Sequence, residues 1–187
     1  LELFSKPRQG GIRAVELDEG DELIGVDITD GTKDVMMFSN SGKAIRFAED
    51  QVRAMGRTAR GVRGMRLKAD QHIISLMIVE SDDSEVLLAT EKGYGKRTKT
   101  SDFRRIGRGG QGVQAIITSG RNGQAVSASP ISYNDDLMLI TSGGVMVRTS
   151  ASEISCLSRY AQGVRLINLD TGSKLVRAEQ VKEVVSE

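Results

Sequence analysis

The residues of this 187-residue chain whose type and spacing carry chemical meaning are its arginines and lysines. Residues 53–68 hold six basic side chains, Arg53, Arg57, Arg60, Arg63, Arg66 and Lys68, and no acid. Residues 92–108 hold seven, Lys92, Lys96, Arg97, Lys99, Arg104, Arg105 and Arg108, against Asp102 alone. These two stretches carry half of the 26 Lys and Arg. Acids gather elsewhere, eight of them in residues 16–34 and four in 80–85. The net charge of +1 is therefore a sum over separated blocks. A surface of two signs follows, and its basic part can hold a polyanion.

Groups suited to acid–base, covalent or metal chemistry are sparse. His72 is the only histidine, at the start of an apolar run and without a second His or a recurring acidic partner, so it reads as structural. Cys156, in EISCLS, reads as a small buried hydrophobe. A single Cys excludes a disulfide framework, and no CxxC spacing offers a zinc site. Tyr94, Tyr133 and Tyr160 recur at no fixed interval, and the seven Met read as core filling. Arg108-Gly109-Gly110-Gln111-Gly112 resembles a phosphate loop only in its glycines, because no GK[ST] follows and no helix opens. Two readings stay open for it: a flexible entry to the next strand, or a cradle of amides and arginine for a phosphate.

The elements that must position these loops repeat. GIRAVEL from Gly11, GVRGMRL from Gly61, GVQAIIT from Gly112 and GVRLINL from Gly163 align at intervals near 50 residues. A second set, SNSGKAIRF, TEKGYGKRT and TSGGVMVRT, keeps Gly at 42, 93 and 144 and Arg at 46, 97 and 148. Two segments sharing one period establish a repeat unit of about 50 residues. Each unit reads as four short strands rich in Val, Ile, Leu and Thr. In order these are ELIGVDI, DVMMF, AIRF and GVRGMRL, then HIISLMIV, EVLLAT, YGKRT and GVQAIIT, then AVSASPI, LMLIT, VMVRT and GVRLINL. Residues 50–55 and 152–157 fit a single helical turn each, and no long amphipathic helix is expected.

Four strands at this period are the arithmetic of a propeller blade. The fold class is all-β, about three full blades and part of a fourth. The expected division is 1–20 as the end of a preceding blade, 21–70, 71–123 and 124–173 as blades, and 174–187 as closing strand and tail. Corresponding loops of successive blades land on one rim, so a repeated basic loop becomes a positive band that can bend a duplex through its phosphates. Arg46, Arg97 and Arg148 are followed closely by Glu49–Asp50, Asp102 and Glu153, and are expected to brace strand to loop. The phosphate candidates are the loop cations Arg57, Arg60, Arg63, Lys99, Arg104, Arg105, Arg108 and Arg159. Each competes with the plain alternative of a solvated charge.

GDELIGVDITDG (20–31), QVRAMGRTARGVRGMRL (51–67), GYGKRT (93–98), VRTSASEIS (147–155) and QGVRLINL (162–169) resemble the C-terminal domain family of the bacterial DNA gyrase A protein, over essentially the whole chain. The related topoisomerase IV domain is less similar at the first and third of these. The resemblance implies a β-pinwheel, a six-bladed disc whose blades exchange strands, of which this chain is a part. It implies a non-catalytic module that wraps double-stranded DNA largely without regard to sequence, inside an ATP-dependent enzyme that introduces negative supercoils. The catalytic tyrosine, ATP and Mg then belong to other domains or subunits. The implied partners are the gyrase A N-terminal domain and gyrase B in an A2B2 complex, and the implied place is the bacterial cytoplasm at the nucleoid. The family's Q-R-R-G-G-K-G box has no full copy here, and Arg108–Gly112 is a degenerate echo with Gln111 in place of Lys. A protein-docking propeller is the alternative function. No run of about 18 apolar residues implies a membrane span. The start, LELFSKPRQGG, has neither Met nor a signal-peptide layout and reads as an internal piece of a longer protein.

Overall fold

The computed structural model describes residues 4–6 and 9–181. Their regular structure is eleven strands: β1 (Asp34–Ser39), β2 (Lys43–Ala48), β3 (Ile73–Val79), β4 (Glu85–Thr90), β5 (Tyr94–Lys99), β6 (Val113–Gln114), β7 (Ala125–Ile131), β8 (Asp136–Thr141), β9 (Met146–Ser150), β10 (Val164–Arg165) and β11 (Leu175–Gln180). Single 3-10 turns at Glu49–Gln51, Thr100–Asp102 and Ala151–Glu153 follow β2, β5 and β9. Two of them overlap the expected helical turns, and the third completes the repeat.

The strands form three antiparallel sheets, ordered β3-β1-β2-β6, β10-β5-β4-β7 and β11-β8-β9. Each is built on a tight hairpin, β1–β2, β4–β5 or β8–β9, to which the following repeat adds one strand on each side. β3, β7 and β11 join the first strand of each hairpin. The two-residue strands β6 and β10 join the second. A sheet and a sequence repeat are thus different units: the interval between residues 70 and 71 separates β2 from β3, which share a sheet. The third sheet holds three strands, since among the described residues no further repeat adds a strand beside β9.

Two expected strands are absent for the same reason. ELIGVDI (22–28) stands one repeat before β3, but within these residues no hairpin precedes it, and it runs without a ladder, with Val26 86% and Ile28 75% exposed. GVRGMRL (61–67) likewise has no hairpin to join and lies against the outer face of the first sheet, where Met65 packs with Ile45 and Phe47. GVQAIIT and GVRLINL shorten to β6 and β10. Their remaining residues turn inward, with Ala115 and Ile116 fully buried.

Alternation along the strands sets the cores. Met36 and Phe38 of β1 meet Val86 and Leu88 of β4 between the first and second sheets. The intervening Leu87 and Ala89 face the other way and meet Leu137 and Leu139 of β8. The second sheet is covered on both faces, which is why EVLLAT is apolar throughout. Near one edge β3 packs on β7 and β7 on β11, so these are the inner strands. On the opposite, outer side stand the second hairpin strands β2, β5 and β9, with the short β6 and β10 beyond the first two.

Candidate nucleic-acid interface

The loops that hold the predicted cations run along the outer edges. The segment after Thr100–Asp102 lies on β2, with Ile106 N–H donating to the Arg46 carbonyl at 2.8 Å. One repeat later the segment after Ala151–Glu153 lies on β5, where Arg97 N–H donates to Ser155 O at 3.0 Å and Leu157 N–H to Arg97 O at 2.8 Å. Each loop then turns at a glycine. A Cβ on Gly112, at φ +73°, would stand 2.4 Å from the Ala44 carbonyl oxygen, and one on Gly163, at φ +86°, 2.5 Å from that of Gly95. Only glycine allows this approach. Arg108–Gly112 leads into β6, as the first sequence reading has it, but as a close-packed seam in place of a flexible one: its Gly109 N–H is taken by the Gly64 carbonyl at 2.6 Å.

The eight predicted cations separate by their partners. Arg60 faces Asp18 at 3.0 Å and Glu16 at 3.9 Å. Arg105 pairs with Asp34 at 2.8 Å. Arg57 donates to the Arg13 carbonyl at 3.1 Å. Arg108 clasps two loops through the Gln51 carbonyl at 3.2 Å and the Arg63 carbonyl at 2.5 Å. Arg159 donates to the Gln114 carbonyl at 2.9 Å and lies over the Tyr160 ring. Arg63, Lys99 and Arg104 are exposed, and among the described residues no hydrogen bond or ion pair engages their side chains. These three are the cations left over for an outside anion.

The recurring arginines do act as struts, but not with the expected acids. Arg46 pairs with Asp34 at 2.7 Å, Arg97 with Glu85, and Arg148 with Asp136 at 2.5 Å. The partner lies twelve residues back, at the start of the facing strand, and not in the turn ahead. Met36 is opposite Arg46 in the antiparallel register, so the acid two positions earlier is the diagonal neighbour on the same face.

Other sequence readings shift as well. Cys156 is exposed, not buried. Desolvation of its thiol and the nearby Glu85 carboxylate push its pKa up, away from a reactive thiolate. Sequence reasoning passes over Lys96, which is fully buried with its ammonium on the Ser158 carbonyl at 2.5 Å. It also passes over Arg121 and Arg165, which flank the Tyr94 ring. Tyr94 and Arg165 fall in separate sequence segments, and only the β5–β10 pairing brings them together. Among the described residues no group of three or more His, Cys, Asp or Glu is arranged to hold a metal ion. No helix there is long and apolar enough to cross a membrane.

Comparison with known proteins places the fold. The family described as DNA gyrase C-terminal domain, beta-propeller, matches residues 1–30, 33–80, 84–132 and 135–182. The DNA gyrase A protein of Pseudomonas aeruginosa is 52% identical over 180 residues, covering 96% of this chain and 19% of that protein. Its counterpart in Salmonella typhimurium is 47% identical over 184 residues, covering 98% and 21%. The chain thus spans about a fifth of the length of these relatives. A solved DNA gyrase A C-terminal domain superposes with a TM-score of 0.83 at 26% identity, over 92% of this chain and 58% of that one. The C-terminal domain of DNA topoisomerase IV gives 0.91 at 22% identity, over 97% and 57%, a likeness of fold.

Proposed function

Since the chain belongs to the DNA gyrase A C-terminal domain family, we propose that it is a DNA-binding module that wraps duplex along its outer edges and carries no chemistry of its own. The observation that supports this reading is the position of Arg63, Lys99 and Arg104. They are exposed cations, and of the eight predicted cations they are the three whose side chains engage no hydrogen bond or ion pair among the described residues. Such contacts neutralise phosphates and release counterions, giving affinity without base reading. Among the described residues no α-helix is available to enter a major groove. In this reading strand cleavage, ATP and Mg belong to the rest of a type II topoisomerase, with the gyrase A N-terminal domain and gyrase B as partners in an A2B2 complex of the bacterial cytoplasm. Residues 1–187 form one partial pinwheel within it.

Titration of duplex DNA at several salt concentrations tests the proposal. The expected result is weak, nearly sequence-blind binding. With about four phosphates neutralised, the log–log salt slope is near −4. Replacing Arg63, Lys99 and Arg104 together by Ala should flatten that slope by about 3 and leave the melting temperature nearly unchanged, because exposed unpaired side chains contribute little to stability. Tight binding to one sequence with a flat salt response would instead favour a different kind of site. Binding of acidic protein segments in preference to DNA would favour the docking alternative.

A further inference from the structure

We infer that Arg121, Arg165 and the Tyr94 ring form a phosphodiester clamp at the hairpin-turn end of β5, a contact separate from the cations at the far end of that strand. This rests on the DNA-binding reading above and adds a specific site to it. Tyr94 opens β5 and stands directly opposite Arg165 of β10 in the antiparallel register. The Arg165 guanidinium lies 5.1 Å from the ring centroid and donates to the phenol oxygen at 2.7 Å. The Arg121 guanidinium lies 4.9 Å from the same centroid.

Both cations are pre-placed. Arg121 sits in a turn locked by Asn122, which is fully buried. The Asn122 amide donates to the carbonyls of Ile117 at 2.8 Å and Gln162 at 3.1 Å, and its oxygen accepts the Ser119 N–H at 2.9 Å. Arg165 is held by the ladder and by Asn168 at 3.1 Å. A clamp whose members are already ordered loses little freedom on binding.

What sets this pair apart is two guanidinium groups on one ring with no carboxylate between them. Arg46, Arg60, Arg97, Arg105, Arg148 and Arg177 each face a carboxylate. Among the described residues Arg121 and Arg165 face none; their side-chain partners are Gln162, Asn168 and the phenol. Two guanidinium groups on one ring repel each other, and the ring's negative faces offset only part of that. A phosphate relieves the repulsion and accepts the planar N–H donors left unused. Lys92, exposed and bonded to the Gly120 carbonyl of the same turn, adds a third positive charge beside it. The arrangement is local to the second sheet. One repeat earlier, Lys43 stands opposite Gln114, with no aromatic ring between cations.

The test uses the chain with its tyrosines 13C-labelled, a short duplex as the probe, and Arg121→Ala/Arg165→Ala compared with wild type at several salt concentrations. If the clamp holds a phosphate, the Tyr94 ring resonances move on adding duplex. The double variant should then bind about tenfold more weakly with a slope shallower by one to two, as expected for one or two lost phosphate contacts. Should the double variant fold poorly, Arg121→Ala alone suffices, since its guanidinium reaches only Gln162 and the ring. Duplex binding with a steep slope, an unmoved Tyr94 ring and unchanged variants would overturn the clamp and leave the DNA-binding reading intact. No duplex binding by the wild type would overturn both.

Discussion

The Arg97 Nε–H donates to the carbonyl of Ile154 at 2.8 Å, across 57 residues, while the same guanidinium holds Glu85 on its own hairpin. One repeat earlier Arg46 joins Asp34 to the Phe103 carbonyl in the same way, at 2.7 and 3.4 Å. In the first two hairpins the strut therefore ties the hairpin to the loop that the following repeat lays along its outer edge. Arg148 has the acid, and among the described residues no loop lies along it. Its side chain is 56% exposed, against 10% for Arg46 and 6% for Arg97.

This difference predicts unequal costs for one substitution at equivalent positions. Arg97→Ala leaves the Glu85 carboxylate, itself largely buried, without its partner. A cost of about 3 kcal/mol follows, or a fall in melting temperature of roughly 10 °C. Arg148→Ala breaks an exposed pair and should cost no more than about 1 kcal/mol. Calorimetric melts of the two variants decide it: equal falls would mean that the loop contact to Ile154 contributes nothing.

Much of this is legible in the residues, and the failures share a cause. The hairpin strands can be read with their bounds nearly right, since Val, Ile and Leu runs flank a glycine turn and pair locally. ELIGVDI has the same composition as a strand but depends on a hairpin that is not among these residues. GVQAIIT and GVRLINL lose most of their ladder because their glycines turn the chain against a neighbouring strand. The recurrence of Arg97 announces a strut, but sequence proximity favours Asp102 over Glu85. A diagonal neighbour across an antiparallel pair is visible only once the register is known. Arg121 escapes notice and Tyr94 is set aside because neither recurs, and a site built once leaves no periodic trace.

Lys96 gives a pH dependence with a definite sign. Desolvation lowers its pKa to about 8, with the Asp102 charge opposing the shift and Arg159 adding to it. Between about pH 8 and the ordinary lysine value of 10.5, the unfolded chain binds more protons than the folded one. Stability therefore rises with pH across that window, and the penalty for holding the charged form is fully present below it. Lys96→Met removes this contribution. The difference between wild-type and variant melting temperatures should move in favour of the wild type as pH is raised from 7 to 10. A difference that stayed constant would show that the buried ammonium titrates as it does in water.

The outer edge of β9 is where the repeat leaves its largest uncovered strand. Its counterparts are covered, β2 by β6 and β5 by β10. In the third sheet β11 occupies the inner side of β8, with Leu175 and Ala178 fully buried. The outer side stays open, with Val145 49%, Met146 66% and Val147 37% exposed. An unpaired edge flanked by apolar side chains recruits other strands, and the 61–67 segment, which has no ladder, is a strand donor of the kind that β6 and β10 supply. Isolated chains should therefore associate with increasing concentration. Met146→Lys, which places a charge on the edge, should suppress that association without lowering the melting temperature, because the side chain is already in solvent. Sedimentation velocity over a wide concentration range provides the measurement. A wild-type chain that stayed monomeric throughout would show that the open edge is protected by the loops beside it.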